Sequence, residues 1–242
     1  MSLQTRALSS TQIELTWSVD TYADQVQHYL VSVQQRGTTN VTTFAVRSSS
    51  ITVQNLLPYT YYEFWVVADI GDFQSNRSEI VSQRTQPGEP PAPEKPVLQD
   101  QTKVSPTTFP LEVKPTSERN GPIGCYHVVV VKSSSTDNLP DPEMLQTYKT
   151  LEEAKNTGND NIAYIAMALT PDKVGDSTTV TVGDGAVTSC NPDQAGRKRR
   201  ALTSDDVYNQ EYTNSPLEPD SSYTTSVRAY GQDDGGQMKM LK

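Results

Sequence analysis

Histidine and cysteine are almost missing from this chain, and their scarcity excludes most enzyme chemistry. The 242 residues include only His28 and His127, and only Cys125 and Cys190. A Ser-His-Asp or Cys-His relay has little to draw on, and no Cys or His run has zinc-binding spacing. Asp137, Asp141 and Glu143, like Asp233-Asp234, lack an EF-hand pattern. Gly183-Asp184-Gly185 reads as a hairpin turn rather than a phosphate cradle. The expectation is a chain with no catalytic residue, no cofactor and no metal, in which both histidines have structural roles.

Long apolar runs are lacking too. No stretch approaches the roughly 18 residues that a membrane-crossing helix requires, so any membrane attachment is expected through a segment outside this chain. Met1-Ser2-Leu3 is not followed by an apolar core and reads as an expression scar rather than a signal peptide. Basic residues are outnumbered, 20 against 29 acidic, for a formal net charge of -9. Nucleic-acid phosphates would be repelled by that balance.

Within this acidic background, Arg197-Lys198-Arg199-Arg200 stands out, followed by the small residue Ala201. Four adjacent cations repel one another and resist burial, so an exposed loop is expected. Such a run suits the acidic cleft of a furin-type processing protease. A solvated loop, or a heparin or nucleic-acid patch, are the competing readings.

The two cysteines fit either a disulfide in an oxidising compartment or two unrelated thiols. Asn40-Val41-Thr42 and Asn76-Arg77-Ser78 are glycosylation acceptors in expected turns, and they favour the oxidising compartment.

What the chain has in quantity is short alternating strands. Ile13, Leu15 and Trp17 share one face, with Glu14 and Thr16 on the other. Val26, Tyr29, Val31 and Val33 mark the next strand, Phe44 a short one, and Ile51 and Val53 another. Leu56 to Tyr62, running into Glu63 to Ala68, and Ser78 to Arg84 complete the set. Such a run of short strands without a helix signal makes a β-sandwich over residues 4–86. Pro87 to Lys95, rich in Pro, reads as a semi-rigid linker. An SH3-ligand reading fits its composition but not an extracellular setting.

Residues 96–242 then repeat the first pattern. Phe109-x-Leu111-x-Val113 answers Ile13-x-Leu15-x-Trp17, and Ile123-x-x-Tyr126-x-Val128-x-Val130 answers Val26-x-x-Tyr29-x-Val31-x-Val33. Leu217-x-Pro219-x-x-x-Tyr223 answers Leu56-x-Pro58-x-x-x-Tyr62. Both halves resemble fibronectin type III domains, which are immunoglobulin-like sandwiches. The resemblance implies that Tyr62 and Tyr223 are tyrosine-corner residues and that Trp17 is the buried strand-B tryptophan. Val113 departs from that pattern in the second domain.

Val33 to Ile51 spans 18 positions, and Val130 to Tyr212, taken as its equivalent, spans 82, a difference of about 64. An insertion of that size, about 134–206, is expected to be structured. Asp141 as N-cap, Pro142, and the stripe Met144, Leu145, Tyr148, Leu151 and Ala154 predict one helix ending before Gly158. Strands are expected over Ile162 to Leu169 and Thr178 to Val182. Cys125, His127, Val129 and Val131 must face away from the sandwich core. Two valines there predict that the insertion folds over this outer face, pinned by a Cys125–Cys190 disulfide.

Gly121-Pro122-Ile123, Ala163-Tyr164-Ile165-Ala166, Val182-Gly183-Asp184-Gly185 and Asn214-Ser215-Pro216-Leu217 together resemble the membrane-proximal ectodomain of receptor-type protein tyrosine phosphatases. That resemblance implies an adhesion or recognition segment on the extracellular face of the plasma membrane. Its partners would be a protein ligand or cell-surface protein, homophilic pairing included, together with a processing protease. The phosphatase signature itself, Cys in a phosphate-binding loop followed by Arg, is not in the chain. The alternative is a fibronectin-type adhesion or matrix protein with no enzymatic domain. A cytokine-receptor module is a weaker third, without the Trp-Ser-x-Trp-Ser box.

Overall fold

The computed structural model describes residues 1–19, 23–71, 73–133, 145–159, 161–191, 210–232 and 238–239. Contacts divide the chain into two compact units, one built on Met1–Glu89 and the other on Pro90–Glu118 with Pro122–Gln232. Both are β-sandwiches, and no strand forms in residues 85–96, where prolines cannot donate to a ladder.

The first unit contains β1 (Ser2–Ala7), β2 (Ile13–Ser18), β3 (His28–Gln35), β4 (Val41–Val46), β5 (Ser50–Val53), β6 (Tyr61–Asp69) and β7 (Val81–Arg84). One sheet runs β1-β2-β5 and the other β4-β3-β6-β7. The period-2 alternation is direct: β2 buries Ile13, Leu15 and Trp17, β3 buries Tyr29, Val31 and Val33, and β6 buries Tyr62, Phe64, Val66 and Ala68. Trp17 meets Tyr29 edge to face at 5.3 Å. The Tyr62 hydroxyl accepts a hydrogen bond from the Leu57 amide at 2.9 Å, closing the corner.

The second unit contains β8 (Val97–Leu98), β9 (Phe109–Val113), β10 (Ile123–Ser133), β11 (Thr147–Tyr148), α1 (Leu151–Lys155) and β12 (Ile162–Leu169). There follow α2 (Pro171–Val174), β13 (Thr178–Val182), β14 (Val187–Ser189), β15 (Glu211–Thr213), β16 (Ser222–Gln232) and β17 (Met238–Lys239). Its sheets run β13-β9-β8 and β11-β12-β10-β16-β17, with β14-β15 as a separate ribbon. The Tyr223 hydroxyl accepts from the Glu218 amide at 2.8 Å, repeating the first unit's corner.

Three expectations need correction. The equivalent of β5 is β13, not the strand at Tyr212. In the first unit Ile13 pairs Val53 and Leu15 pairs Ile51; in the second Phe109 pairs Val182 and Leu111 pairs Val180. The added chain therefore falls on both sides of β13, 32 residues before it and 32 between it and Leu217. The expected single helix is also shorter than its apolar stripe: the described part of its span holds β11 and the five-residue α1, and a second short helix, α2, comes only after β12. Tyr148 lies on β11, parallel to β12, and α1 begins only after Thr150, whose hydroxyl accepts from the Glu153 amide at 3.1 Å. The Glu153 carboxylate in turn accepts from the Lys149 amide, closing a local capping network. The apolar stripe is split accordingly: Leu151 and Ala154 enter the sandwich core, whereas Leu145 packs on the outer face of β10. Asp141, Pro142 and Met144 lie outside the described residues. Finally, Gly183 to Gly185 is not a hairpin turn, because β13 and β14 belong to different sheets. Gly183 has φ 89, and a Cβ there would collide with the Thr107 carbonyl.

Candidate functional site

The outer face of β10 is where the second unit departs most from a plain sandwich. Alternation breaks down along this strand, because both faces are covered. Tyr126, Val128 and Val130 join the sandwich core, while Cys125, Val129 and Val131 join a second cluster with Ala163, Ile165 and Tyr212. The insertion builds that cover in two ways. Strand β12, itself buried throughout, lengthens the sheet beside β10, and the β14-β15 ribbon carries Tyr212 and Cys190 onto the face.

Cys125 and Cys190 are joined as a disulfide, with Cα atoms 5.6 Å apart and both side chains fully buried. Beside them the His127 ring lies 4.7 Å from Tyr212 and 4.6 Å from Tyr230. Neither ring nitrogen of His127 has a hydrogen-bond partner. Burial, reinforced by the positive charge of Arg228, pulls its pKa down to about 3, so the imidazole is neutral. Burial likewise pushes the Tyr212 hydroxyl up to about 12. Cys125, His127 and Cys190 place their donor atoms within 4.8 Å of one another, a metal-like cluster among the described residues. Disulfide formation removes both thiolates, leaving His127 as the single free ligand, so the cluster holds no metal in this redox state.

Asn214 was not singled out for any role in sequence, yet it is the hub of the covering ribbon. Fully buried, its side-chain oxygen accepts from the Gly183 amide at 2.7 Å, and its side-chain nitrogen donates to the Thr181 carbonyl at 2.7 Å and to Asp184 at 2.6 Å. Its backbone exchanges bonds with Ala186 and Gly185. The Asn-Ser-Pro run preceding the corner was the available signal, since Asn side chains stabilise turns. Glu218, next to the corner, pairs with both Lys132 and Lys155, and those two lysines hold its carboxyl below the ordinary range.

Of the residues singled out in sequence, Asn40 is exposed immediately before β4 and Asn76 is exposed between β6 and β7. Ser78, which completes the second acceptor motif, is buried, accepting from the Val66 amide at 3.0 Å. His28 lies on β3 with Nε2 3.3 Å from the Asp69 carboxylate. Arg197, Lys198, Arg199, Arg200 and Ala201 lie outside the described residues, as do Asp137, Glu143, Asp233 and Asp234. What is described are the flanks of the basic run: Ser189 on β14 and Glu211 on β15 are direct cross-strand partners.

Residues 1–84 match the fibronectin type III domain, and residues 111–237 match a family described as the TM proximal of protein tyrosine phosphatase, receptor type J. Among solved structures, the chain is similar to the fn3 domain of human contactin 1 at 23% identity and a TM-score of 0.31, over 34% of this chain and 72% of that one. A myokine structure matches at 23% identity and 0.32, over 34% and 90%. A computationally redesigned β-sandwich matches at 23% and 0.32, over 35% and 90%. No curated protein matches the chain.

Proposed function

The chain belongs to the family of membrane-proximal regions of receptor type J protein tyrosine phosphatases, and on that premise we propose that it is an extracellular recognition segment cut by a furin-type protease after Arg200. Neither matched domain is a phosphatase catalytic domain, so dephosphorylation in this reading belongs to another part of a single-pass receptor. The partners are a protein ligand on a cell surface or in matrix, and the processing protease.

The observation that carries this reading is how the chain is divided on either side of the basic run. Everything after Arg200 includes β15, Asn214, the Tyr223 corner and β16. Strand β16 is central, pairing along β10 from Ile123 opposite Gly231 to Ser133 opposite Ser222. Both cysteines precede the cut, so the disulfide stays within the first piece. Ladder hydrogen bonds, the Asn214 contacts and the buried Tyr212, Val227 and Tyr230 then hold the second piece in place. A processed receptor of this kind remains one folded unit without a covalent link.

The test is mass spectrometry, reduced and non-reduced, of protein secreted with and without a furin-type inhibitor. The expected result is inhibitor-sensitive cutting after Arg200 with both pieces co-eluting in gel filtration. An uncut chain returns the basic run to a solvated loop, and loss of the C-terminal piece on elution defeats the two-chain assembly.

A further inference from the structure

The first unit has an unguarded edge. Strand β4 ends the β4-β3-β6-β7 sheet, and its residues Val41 to Phe44 and Ala45 are all exposed. Its sequence, Val-Thr-Thr-Phe-Ala-Val, has high β-propensity, no charge and no proline. An edge with those properties is a template for pairing with another chain. Natural edges are blunted by charge, proline, a bulge or a cover, and among the described residues β4 has none of these.

Beside this edge lies a groove of about 300 Å³, at the lower end of the range for small-ligand clefts. It opens where β4 and β5 leave their two sheets unjoined. Val33, Val53 and Tyr62 line it on the core side, and Asn40, Thr42 and Phe44 line it on the β4 side. Alternation along an extended chain puts residues 40, 42 and 44 on one face, so the acceptor asparagine, its Thr and the aromatic ring all turn toward the same space. Phe44 is 36% exposed. The amide-bearing residues Gln35, Gln54 and Asn55 also line it, together with Thr38 and Leu56. An aromatic face with amides around it suits a pyranose, whose C–H face is apolar and whose hydroxyl and acetamido groups need partners.

We infer that the N-glycan on Asn40 folds back along β4, with its first N-acetylglucosamine laid on the Phe44 ring and filling this groove. The inference rests on the extracellular reading above, since glycosylation requires the secretory route. In the attachment step Asn40 Nδ2 loses a proton and bonds to the anomeric carbon of a lipid-pyrophosphate-linked oligosaccharide, and the lipid pyrophosphate leaves with the electron pair. The attached sugar covers the inward face of β4 and its branches stand along the open edge, which supplies the missing edge protection.

The experiment uses the whole chain secreted from animal cells fed ¹³C-labelled N-acetylglucosamine, with glycans trimmed to the first sugar. Peptide masses after proteolysis are read first: an unmodified Asn40 overturns the inference, and free thiols at Cys125 and Cys190 in the same sample overturn the extracellular reading as well. With Asn40 occupied, the ring protons of its sugar are expected upfield of the same protons in Phe44→Leu, which keeps the bulk and removes the aromatic ring current. Identical sugar shifts in the two proteins overturn the inference. Because Leu preserves the apolar volume at a partly exposed site, folding of the variant is retained, and Phe44→Tyr, which keeps the ring, is expected to restore the upfield shift.

Discussion

Strands β4 and β12 occupy the same place in two copies of one sandwich, each pairing with the third core strand, β3 or β10. Their fates are opposite. Strand β4 is exposed almost throughout, whereas every residue of β12 is buried. The difference lies in what the chain brings to them. In the second unit the first added segment supplies β11 and α1 beside β12, and the second supplies the β14-β15 ribbon across the face of β10. The first unit has neither. A sandwich thus tolerates a wholly apolar strand such as Ile-Ala-Tyr-Ile-Ala-Met-Ala-Leu where other chain covers both faces, and the bare equivalent falls back on Thr-rich sequence and, in our inference, on a sugar.

The largest test of this comparison is to remove the covalent link under the cover. Cys125 and Cys190 close a loop with a sequence separation of 65, which in the chain-entropy account contributes about 4 kcal/mol. Cys125→Ala with Cys190→Ala is expected to lower the stability of the second unit by about that amount and leave the first unchanged, as read by hydrogen exchange of each unit. Equal loss in both units would break the comparison. Next in size is Asn214→Ala, which strands the buried Gly183 amide and Thr181 carbonyl and should cost about 2–3 kcal/mol in denaturant unfolding. Asn214→Asp should cost at least as much at neutral pH, because its new oxygen would face the Asp184 carboxylate, now 2.6 Å from the side-chain nitrogen.

Much of this was legible in the sequence, and the reason is periodicity. The strands of the first unit other than β1 (Ser2–Ala7), the two corners, and the bounds Ile162–Leu169 and Thr178–Val182 follow from alternation and turn residues. The outward valines at 129 and 131 foretold a covered face, since apolar residues on both sides of a strand require two layers. The helix was misread because Leu145, Tyr148, Leu151 and Ala154 have helical spacing. Yet Tyr148 on β11 and Leu151 and Ala154 on α1 pack on the sandwich core, while Leu145, ahead of β11, packs on the outer cluster. Spacing carries no information on which cluster receives a side chain. The strand equivalence failed for a related reason: Thr178 to Val182 was identified as a strand, but its pairing with β9 is a long-range register that no local pattern reports. Asn214 and the groove beside β4 were missed because both are made by distant segments converging.

His127 provides a smaller, pH-dependent test. Its folded pKa of about 3 lies below the ordinary 6.5, so the unfolded chain binds the extra proton between these values. The neutral form's contribution is complete above pH 6.5 and is lost as pH falls toward 3, with a slope of at most about 1.4 kcal/mol per pH unit. Acid titration of unfolding should show this slope in the second unit, and His127→Phe, which keeps a ring between Tyr212 and Tyr230, should flatten it between pH 6.5 and 4.5. An unchanged slope would place the acid sensitivity elsewhere.

The smallest expected effect is also the one that compares the units most directly. Tyr62 and Tyr223 each accept from the amide five residues earlier, at 2.9 Å and 2.8 Å. Removing only the hydroxyl leaves a partly buried amide without its partner, at a cost of about 1 kcal/mol. Tyr62→Phe and Tyr223→Phe should therefore destabilise their own units by similar amounts, despite the insertions that separate the two domains elsewhere. The surroundings differ in one respect: Glu218, whose amide serves Tyr223, is also tied by its carboxylate to Lys132 and Lys155, whereas Leu57 has an exposed apolar side chain. If those ion pairs hold the second corner closed without the hydroxyl, Tyr223→Phe will cost less than Tyr62→Phe. Adding Lys132→Met to the second variant should then bring the costs together, which denaturant unfolding of the four proteins would show.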